Sequence, residues 1–289
     1  MLEALHVEAY IRGGGQAVTN ERSATATPSP TYRAYAVKFA ERDARRADHF
    51  LGGDPHDAPM SMDYFVWAIV GDDRTWVVDT GFDESDATRR HRRLLRSVTD
   101  ALATIGIDAA TVTDVVITHF HYDHIGGHAQ FPAATFHVQD REMAFATGRH
   151  MVERVNNHAF TAAHIAELVM LVHSGRVVFH DGDDELAPGV AVHHVGGHTA
   201  GLQIVRVRTD IGWMVLASDA SHYYENMDSG RPFSVAFDVP AVMAGFDTLR
   251  ALAGRPALVV PGHDPLVLQR FTPVSPELDG IAVRLDRPI

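Results

Sequence analysis

A chain of 289 residues, 46% of them hydrophobic, carries enough apolar material for a globular core. Its formal charge of −12, from 25 basic and 37 acidic residues, argues against a phosphate-backbone binder, so no nucleic-acid partner is expected. The absence of cysteine excludes disulfides and thiolate nucleophiles and leaves His and carboxylate to build any metal site.

In chain order, Leu5 to Ile11 alternates apolar and polar residues as a strand does, and Gly13-Gly14-Gly15 with the Ser, Thr and Pro of Ser23 to Pro30 then predict a loop. Met1 to Gln16 lacks the basic start and continuous apolar stretch of a signal peptide, and no run approaches the roughly 18 apolar residues of a membrane span. A cytoplasmic protein with no membrane partner is the expectation. Val37 to Phe50, with an apolar residue at every third or fourth position, predicts a short helix stopped by Gly52-Gly53-Asp54-Pro55.

Tyr64 to Val70 and Thr75 to Val78 predict two antiparallel strands joined at Gly71-Asp72-Asp73, the second ending in Asp79-Thr80-Gly81. From Ser85 to Ile105 the period becomes helical, with Leu94, Leu95, Val98, Leu102 and Ile105 on one face and Gly106 as the stop. Val112 to Ile117 predicts a strand that runs into Thr118-His119-Phe120-His121-Tyr122-Asp123-His124, followed by a helix from Gln139 to Ala146. Later strands are predicted at Val190 to His194, Leu202 to Arg208, Trp213 to Leu216 and Ala257 to Val260. A helix from Val239 to Leu252 is capped by Asp238, with Pro240 in its first turn. The alternation of strands and helices without a repeat indicates an α/β or α+β domain. We read a single domain over 1–289, with an N-terminal extension and loops over about 12–62 and a helical cap over about 145–172.

Most of the 19 histidines lie between His119 and His263. His119 and His121 stand two apart, so in extended chain their side chains point the same way and converge on one ion, and Asp123 continues that spacing before His124. Four donors within six residues, ending at Gly126-Gly127, are a strong metal-site signal. Three further donors sit at the same kind of position, just after a strand: His198 in Gly196-Gly197-His198-Thr199, Asp219 in Ala217-Ser218-Asp219, and His263 in Pro261-Gly262-His263.

Taken in order, His119-Phe120-His121-Tyr122-Asp123-His124, Gly197-His198-Thr199, Asp219 and Gly262-His263 resemble the metallo-β-lactamase superfamily, over roughly Tyr64 to His263. The resemblance implies a four-layer αββα sandwich with the metal site along one edge of its two sheets. It implies that His119, His121 and His198 hold one ion, that Asp123, His124 and His263 hold the other, and that Asp219 bridges them, with Asp79 behind a ligand histidine. Zinc suits this donor set, and manganese, iron or cobalt fit it too. Two such ions share a hydroxide, lower its pKa towards neutrality and polarise a carbonyl, while Asp123 passes a proton to the leaving group.

Length and motif spacing are most similar to the N-acyl homoserine lactonases and related lactone-opening enzymes, the quorum-quenching group. The implied substrate is a small lactone, either an acyl homoserine lactone or another cyclic ester. Where those enzymes place a tyrosine three residues after the bridging aspartate, this chain has His222, followed by Tyr223 and Tyr224, so His222 and Tyr223 join Asp123 as candidate catalytic residues. Met60, Met62, Tyr64, Phe65, Met151, Phe160 and Phe233 are candidates for an apolar substrate pocket. A thioesterase of the glyoxalase kind is the rival within the fold, and a non-catalytic metal protein the rival outside it. Lactonase relatives are often dimers, and Ala17 to Met60 is the segment expected to meet a partner in a homodimer.

Overall fold

The computed structural model describes residues 30–289. The strand expected at Leu5 to Ile11 and most of the loop after it lie outside the described residues. Fourteen strands follow: β1 (Arg33–Arg42), β2 (Met62–Val70), β3 (Thr75–Val78), β4 (Arg93–Leu94), β5 (Asp114–Val116), β6 (Thr135–Gln139), β7 (Val177–His180), β8 (Asp184–Ala187), β9 (Val190–His194), β10 (Gln203–Thr209), β11 (Gly212–Ser218), β12 (Val259–Pro261), β13 (Phe271–Pro273) and β14 (Ala282–Pro288). They form two mixed sheets. The nine-stranded sheet runs β13-β14-β1-β2-β3-β5-β6-β7, with β4 beside β1, and the five-stranded sheet runs β12-β11-β10-β9-β8.

Alternation along the strands sorts side chains into two cores. In β1 and β2, Ala34, Ala36, Phe65, Trp67 and Ile69 face the second sheet and meet Ile204, Val205, Val207, Met214 and Leu216, a core that continues to Val242, Phe246 and Leu249 of the helix Val239–Leu252. Tyr35, Val37, Phe39, Val66 and Ala68 point the other way, onto Val98 and Leu102 of the helix Val98–Ala103 and Ile165 and Leu168 of the helix Ala162–His173. Helices thus cover the outer face of each sheet, giving the αββα sandwich. A fully buried side chain such as Phe39 contributes about 3–5 kcal/mol against Ala.

Several sequence expectations are corrected. Val37 to Phe50 begins as strand: β1 pairs with β2 from Arg33↔Val70 to Arg42↔Met62 and with β14 on its other side, and only Arg46–His49 is helical. Burial on both faces removes the alternation that marks a half-exposed strand, and Lys38, Glu41 and Arg42 at its end imitate a helical polar face. Of the segment proposed to meet a partner, Arg33–Arg42 is paired within the chain's own sheet. The single helix read over Ser85 to Ile105 is two, Glu84–Arg90 and Val98–Ala103. It is broken by His91 at φ 55 and by β4, which pairs with Ala40 and Glu41. In the stretch read as a cap, short helices at Arg149–Val152 and Arg154–Asn157 precede Ala162–His173, which packs on the nine-stranded sheet through Ile165 and Leu168. Among the described residues no helix is long and apolar enough to cross a membrane.

Candidate metal centre

Parallel neighbours put strand ends at the same edge of the sandwich. β3 and β5 are parallel in one sheet, and β11 and β12 are parallel in the other. The loops leaving β3 (Asp79), β5 (His119 to His124), β11 (Asp219) and β12 (His263) therefore meet, and the β9–β10 loop brings His198 to them. Each turn is tight. Gly197 has φ 86, and a Cβ there would lie 2.6 Å from the Val242 backbone nitrogen. A Cβ on Gly262 would lie 2.8 Å from Ser218 O and 2.9 Å from Asp219 Oδ1, so only glycine lets His263 come alongside Asp219. Asp79 and Ser218 hold left-handed backbone at φ 62 and 44, an uncommon conformation for residues with a Cβ.

All seven predicted donors come together. His119, His121, His198 and Asp219 present ligand atoms within 4.8 Å of one another, as do Asp123, His124 and His263, and all but the half-buried Asp123 are buried. Hydrogen bonds on the far side of the rings fix which nitrogen carries the proton. His124 Nδ1 donates to Asp79 Oδ2 at 2.7 Å, His198 Nδ1 to Val235 O at 2.8 Å, and His263 Nδ1 to Asp63 O at 2.9 Å. Their three Nε2 lone pairs are left facing inward.

Those lone pairs point at a carboxylate. His198 Nε2 is 3.1 Å and His119 Nε2 3.6 Å from Asp219 Oδ2, whereas His263 Nε2 is 2.9 Å and His124 Nε2 3.3 Å from Asp219 Oδ1. His121 Nδ1 stands 3.0 Å from His119 Nε2 and 2.9 Å from His198 Nε2. Lone pairs aimed at one another and at an acceptor repel unless cations lie between them, and His124 Nε2 and Asp219 Oδ1 are buried with no hydrogen-bond partner. The donor set therefore fits a dinuclear metal site, with one Asp219 oxygen turned to each group. Burial holds the His119 and His121 rings well below the usual imidazole range, keeping them neutral as ligands must be. For Asp219 burial works upward, yet the surrounding histidines hold its carboxyl well below the usual range, and Asp219 in turn raises His124 and His263 against their burial, so without a cation those two rings carry the charge an ion would bring.

Around this centre lies a scaffold that sequence motifs only partly mark. Asp79, fully buried, accepts from Thr118 N at 2.7 Å and Thr118 Oγ1 at 2.9 Å besides His124. Glu142 escaped the sequence reading. Its buried carboxylate accepts from Phe120 N at 2.9 Å, Thr199 Oγ1 at 2.7 Å and Gly201 N at 2.9 Å, clamping the His119–His121 loop to the His198 loop. Nothing local announces this, because its partners are remote in sequence.

A cavity of about 200 Å³ opens over the centre. His222 lines it, its ring stacked on Phe233 at 3.5 Å and its Nε2 3.0 Å from Asp219 Oδ2; burial pushes this ring down to about 3, so it is neutral. Tyr223 is a correction. In extended backbone it points away from its neighbour, its hydroxyl donates to Ser61 O at 3.0 Å and lies 3.0 Å from His49 Nε2, and it does not line the cavity. Of the expected apolar lining, Met62, Tyr64 and Phe233 border the cavity, and Phe160 packs edge-on against His121 at 4.7 Å. Phe65 lies between the sheets, and Met60 faces a separate surface hollow.

This sandwich, with a buried His and Asp cluster at its edge, defines a metal-dependent hydrolase, and the chain belongs to the metallo-beta-lactamase superfamily, whose family model matches residues 62–263. An N-acyl homoserine lactonase of a Bacillus species is 26% identical over 234 residues, 75% of this chain and 87% of the relative. The "Probable metallo-hydrolase" of Mycobacterium tuberculosis is 30% identical over 201 residues, 64% of this chain and 63% of the relative. Among solved structures, a quorum-quenching N-acyl homoserine lactone lactonase shares the fold with a TM-score of 0.68 at 20% identity, over 81% of this chain and 93% of its own. A dizinc quorum-quenching lactonase in complex with a product does so with a TM-score of 0.64 at 16% identity, over 82% and 92%.

Proposed function

We propose that this chain is a dinuclear zinc hydrolase that opens a small lactone to its hydroxy acid. The observation that carries the proposal is the Asp219 carboxylate set between two groups of inward-facing histidine lone pairs. Similarity to N-acyl homoserine lactonases supports the choice of a cyclic ester. His119, His121 and His198 would hold one ion, Asp123, His124 and His263 the other, and Asp219 both. When bound, such a pair supplies a water acidic enough to act as a nucleophile near neutral pH and a Lewis acid for the carbonyl.

The chain's own residues do the rest. Asp79 keeps the proton of His124 on Nδ1, and Asp63 and Val235 carbonyls do the same for His263 and His198. Asp123, half-buried and facing the cavity, takes the proton of the attacking water on its carboxylate and returns it to the ring oxygen as the acyl C–O bond breaks. His222, held flat by Phe233, keeps Asp219 oriented through Nε2 and lines the cavity that would receive the substrate. Turnover of acyl homoserine, aliphatic and aromatic lactones by zinc-loaded protein, lost in Asp123→Ala, is the expected result. Silence on every lactone together with thioester or β-lactam turnover would keep the metal centre and sink this substrate class.

A further inference from the structure

Arg42, Arg90 and Arg92 line the cavity over the metal centre, together with Tyr64 and Tyr122. Of the three arginines only Arg90 has a carboxylate within 4.0 Å among the described residues, Asp86 at 3.7 Å. Arg90 is also held by the His158 and Phe160 carbonyls at 2.9 and 3.1 Å, with its guanidinium 4.0 Å from the Tyr122 ring centre. It is structural. Arg92 donates through Nε to Tyr122 Oη at 2.9 Å and through Nη1 to Arg90 O at 2.6 Å, which leaves Nη2 without an acceptor. Arg42, half-buried at the end of β1 opposite Met62, has no side-chain hydrogen bond and no ion pair among the described residues.

In a chain with 37 acidic residues against 25 basic ones, two half-buried guanidiniums left without a carboxylate at one cavity are unexpected as mere solvated surface. Among the described residues no acid that shares the cavity lies within 4.0 Å of the Arg42 or Arg92 guanidinium nitrogens. Asp123 and Asp219 belong to the metal cluster, and Asp48 accepts from the Arg45 backbone at 2.9 Å. A guanidinium offers a planar fork of donors matched to a carboxylate or phosphate. Phe233 and Val235 also line it, so the cavity offers apolar surface as well as cationic groups. At about 200 Å³ it is below the usual size for drug-like ligands.

We infer that the substrate is a small ester that carries an anionic group, a carboxylate or phosphate, received by Arg42 and the free edge of Arg92 while its scissile carbonyl meets the metal centre. This rests on the lactone proposal for the same site and narrows it: a neutral acyl homoserine lactone would leave Arg42 without a partner. Arg42 is here a specificity residue, acting on binding of the anion and not on the bond that breaks.

The test compares γ-butyrolactone with its ring-carboxylated and phosphate-bearing analogues on the zinc-loaded full chain, in the parent, Arg42→Gln and Arg42→Lys. The parent is expected to prefer an anionic analogue over the neutral ring by tenfold or more in kcat/KM, mainly through KM, and the preferred analogue separates carboxylate from phosphate. Arg42→Gln is expected to erase most of that preference and Arg42→Lys to keep part of it. Equal preference in parent and Arg42→Gln would overturn the inference while leaving lactone hydrolysis standing. Should no lactone be hydrolysed, calorimetric titration of the same proteins with succinate and with methylphosphonate decides separately: at least tenfold weaker binding in Arg42→Gln supports the anion site, and unchanged binding overturns it.

Discussion

Asp79→Asn isolates the support behind the metal centre. The native carboxylate is fully buried and accepts three hydrogen bonds, from Thr118 N, Thr118 Oγ1 and His124 Nδ1, at 2.7, 2.9 and 2.7 Å. Asparagine keeps the shape and tolerates the left-handed backbone at φ 62, so neither a cavity nor backbone strain enters. It has one acceptor oxygen instead of two. Turned towards Thr118 N, its NH₂ meets His124 Nδ1–H and drives that proton to Nε2, where an ion would bind. Turned towards His124, its NH₂ opposes the Thr118 N–H. Either arrangement leaves a buried donor mismatched, at about 1–3 kcal/mol. The first falls on metal affinity, about ten- to a hundredfold weaker; the second falls on the metal-free fold. Zinc competition against a fluorescent chelator and thermal unfolding of metal-free protein read the two separately. Zinc affinity within twofold of the parent, with an unchanged unfolding temperature, would refute the role given to Asp79.

Glu142→Gln likewise removes one acceptor from a carboxylate that takes three hydrogen bonds, and a loss of about 1–3 kcal/mol, several degrees in a thermal scan, is expected. Gly262→Ala drives a Cβ into Ser218 and Asp219 and should lower bound zinc below two ions per chain by elemental analysis; Gly175→Ala, where nothing lies within 4 Å but the φ of 75 strains any side chain, should cost stability and leave the metal content unchanged. The His56 backbone N–H and the Arg231 and Arg46 guanidiniums hold the Asp54 carboxyl at about 2, below its usual 3.8. Its stabilising contribution is therefore complete above about pH 4 and lost as pH falls towards 2, so the stability gap between parent and Asp54→Asn in urea titrations should close over that interval, and a constant gap would count against the pairing.

The metal motifs were legible because their spacing is itself geometry. His119 and His121 two apart in extended chain, and single donors in the loops that follow β9, β11 and β12, need no knowledge of distant contacts to be placed beyond strand ends. Val239–Leu252 was equally readable, since Asp238 accepts from Ala241 N as an N-cap and Val242, Phe246 and Leu249 share the buried face. What the chain did not declare locally is whatever depends on a remote partner. The Val37–Arg42 part of β1 reads as a helix until β2 and β14 pair with its two edges and both its faces are buried. Glu142 is an ordinary helix residue until Gly201 and Thr199 reach it. Tyr223 stands next to the cavity-lining His222 but on the other side of an extended chain.

The donors divide between the two sheets: His119 to His124 leave the nine-stranded sheet, and His198, Asp219 and His263 leave the five-stranded one. Metal ions bound there would rivet the layers together at the rim, and their affinity would add to the folding free energy of the whole sandwich. The folded fraction then rises with the free metal concentration, so for a chain of marginal stability the amount of intact protein becomes a gauge of how much metal its surroundings supply.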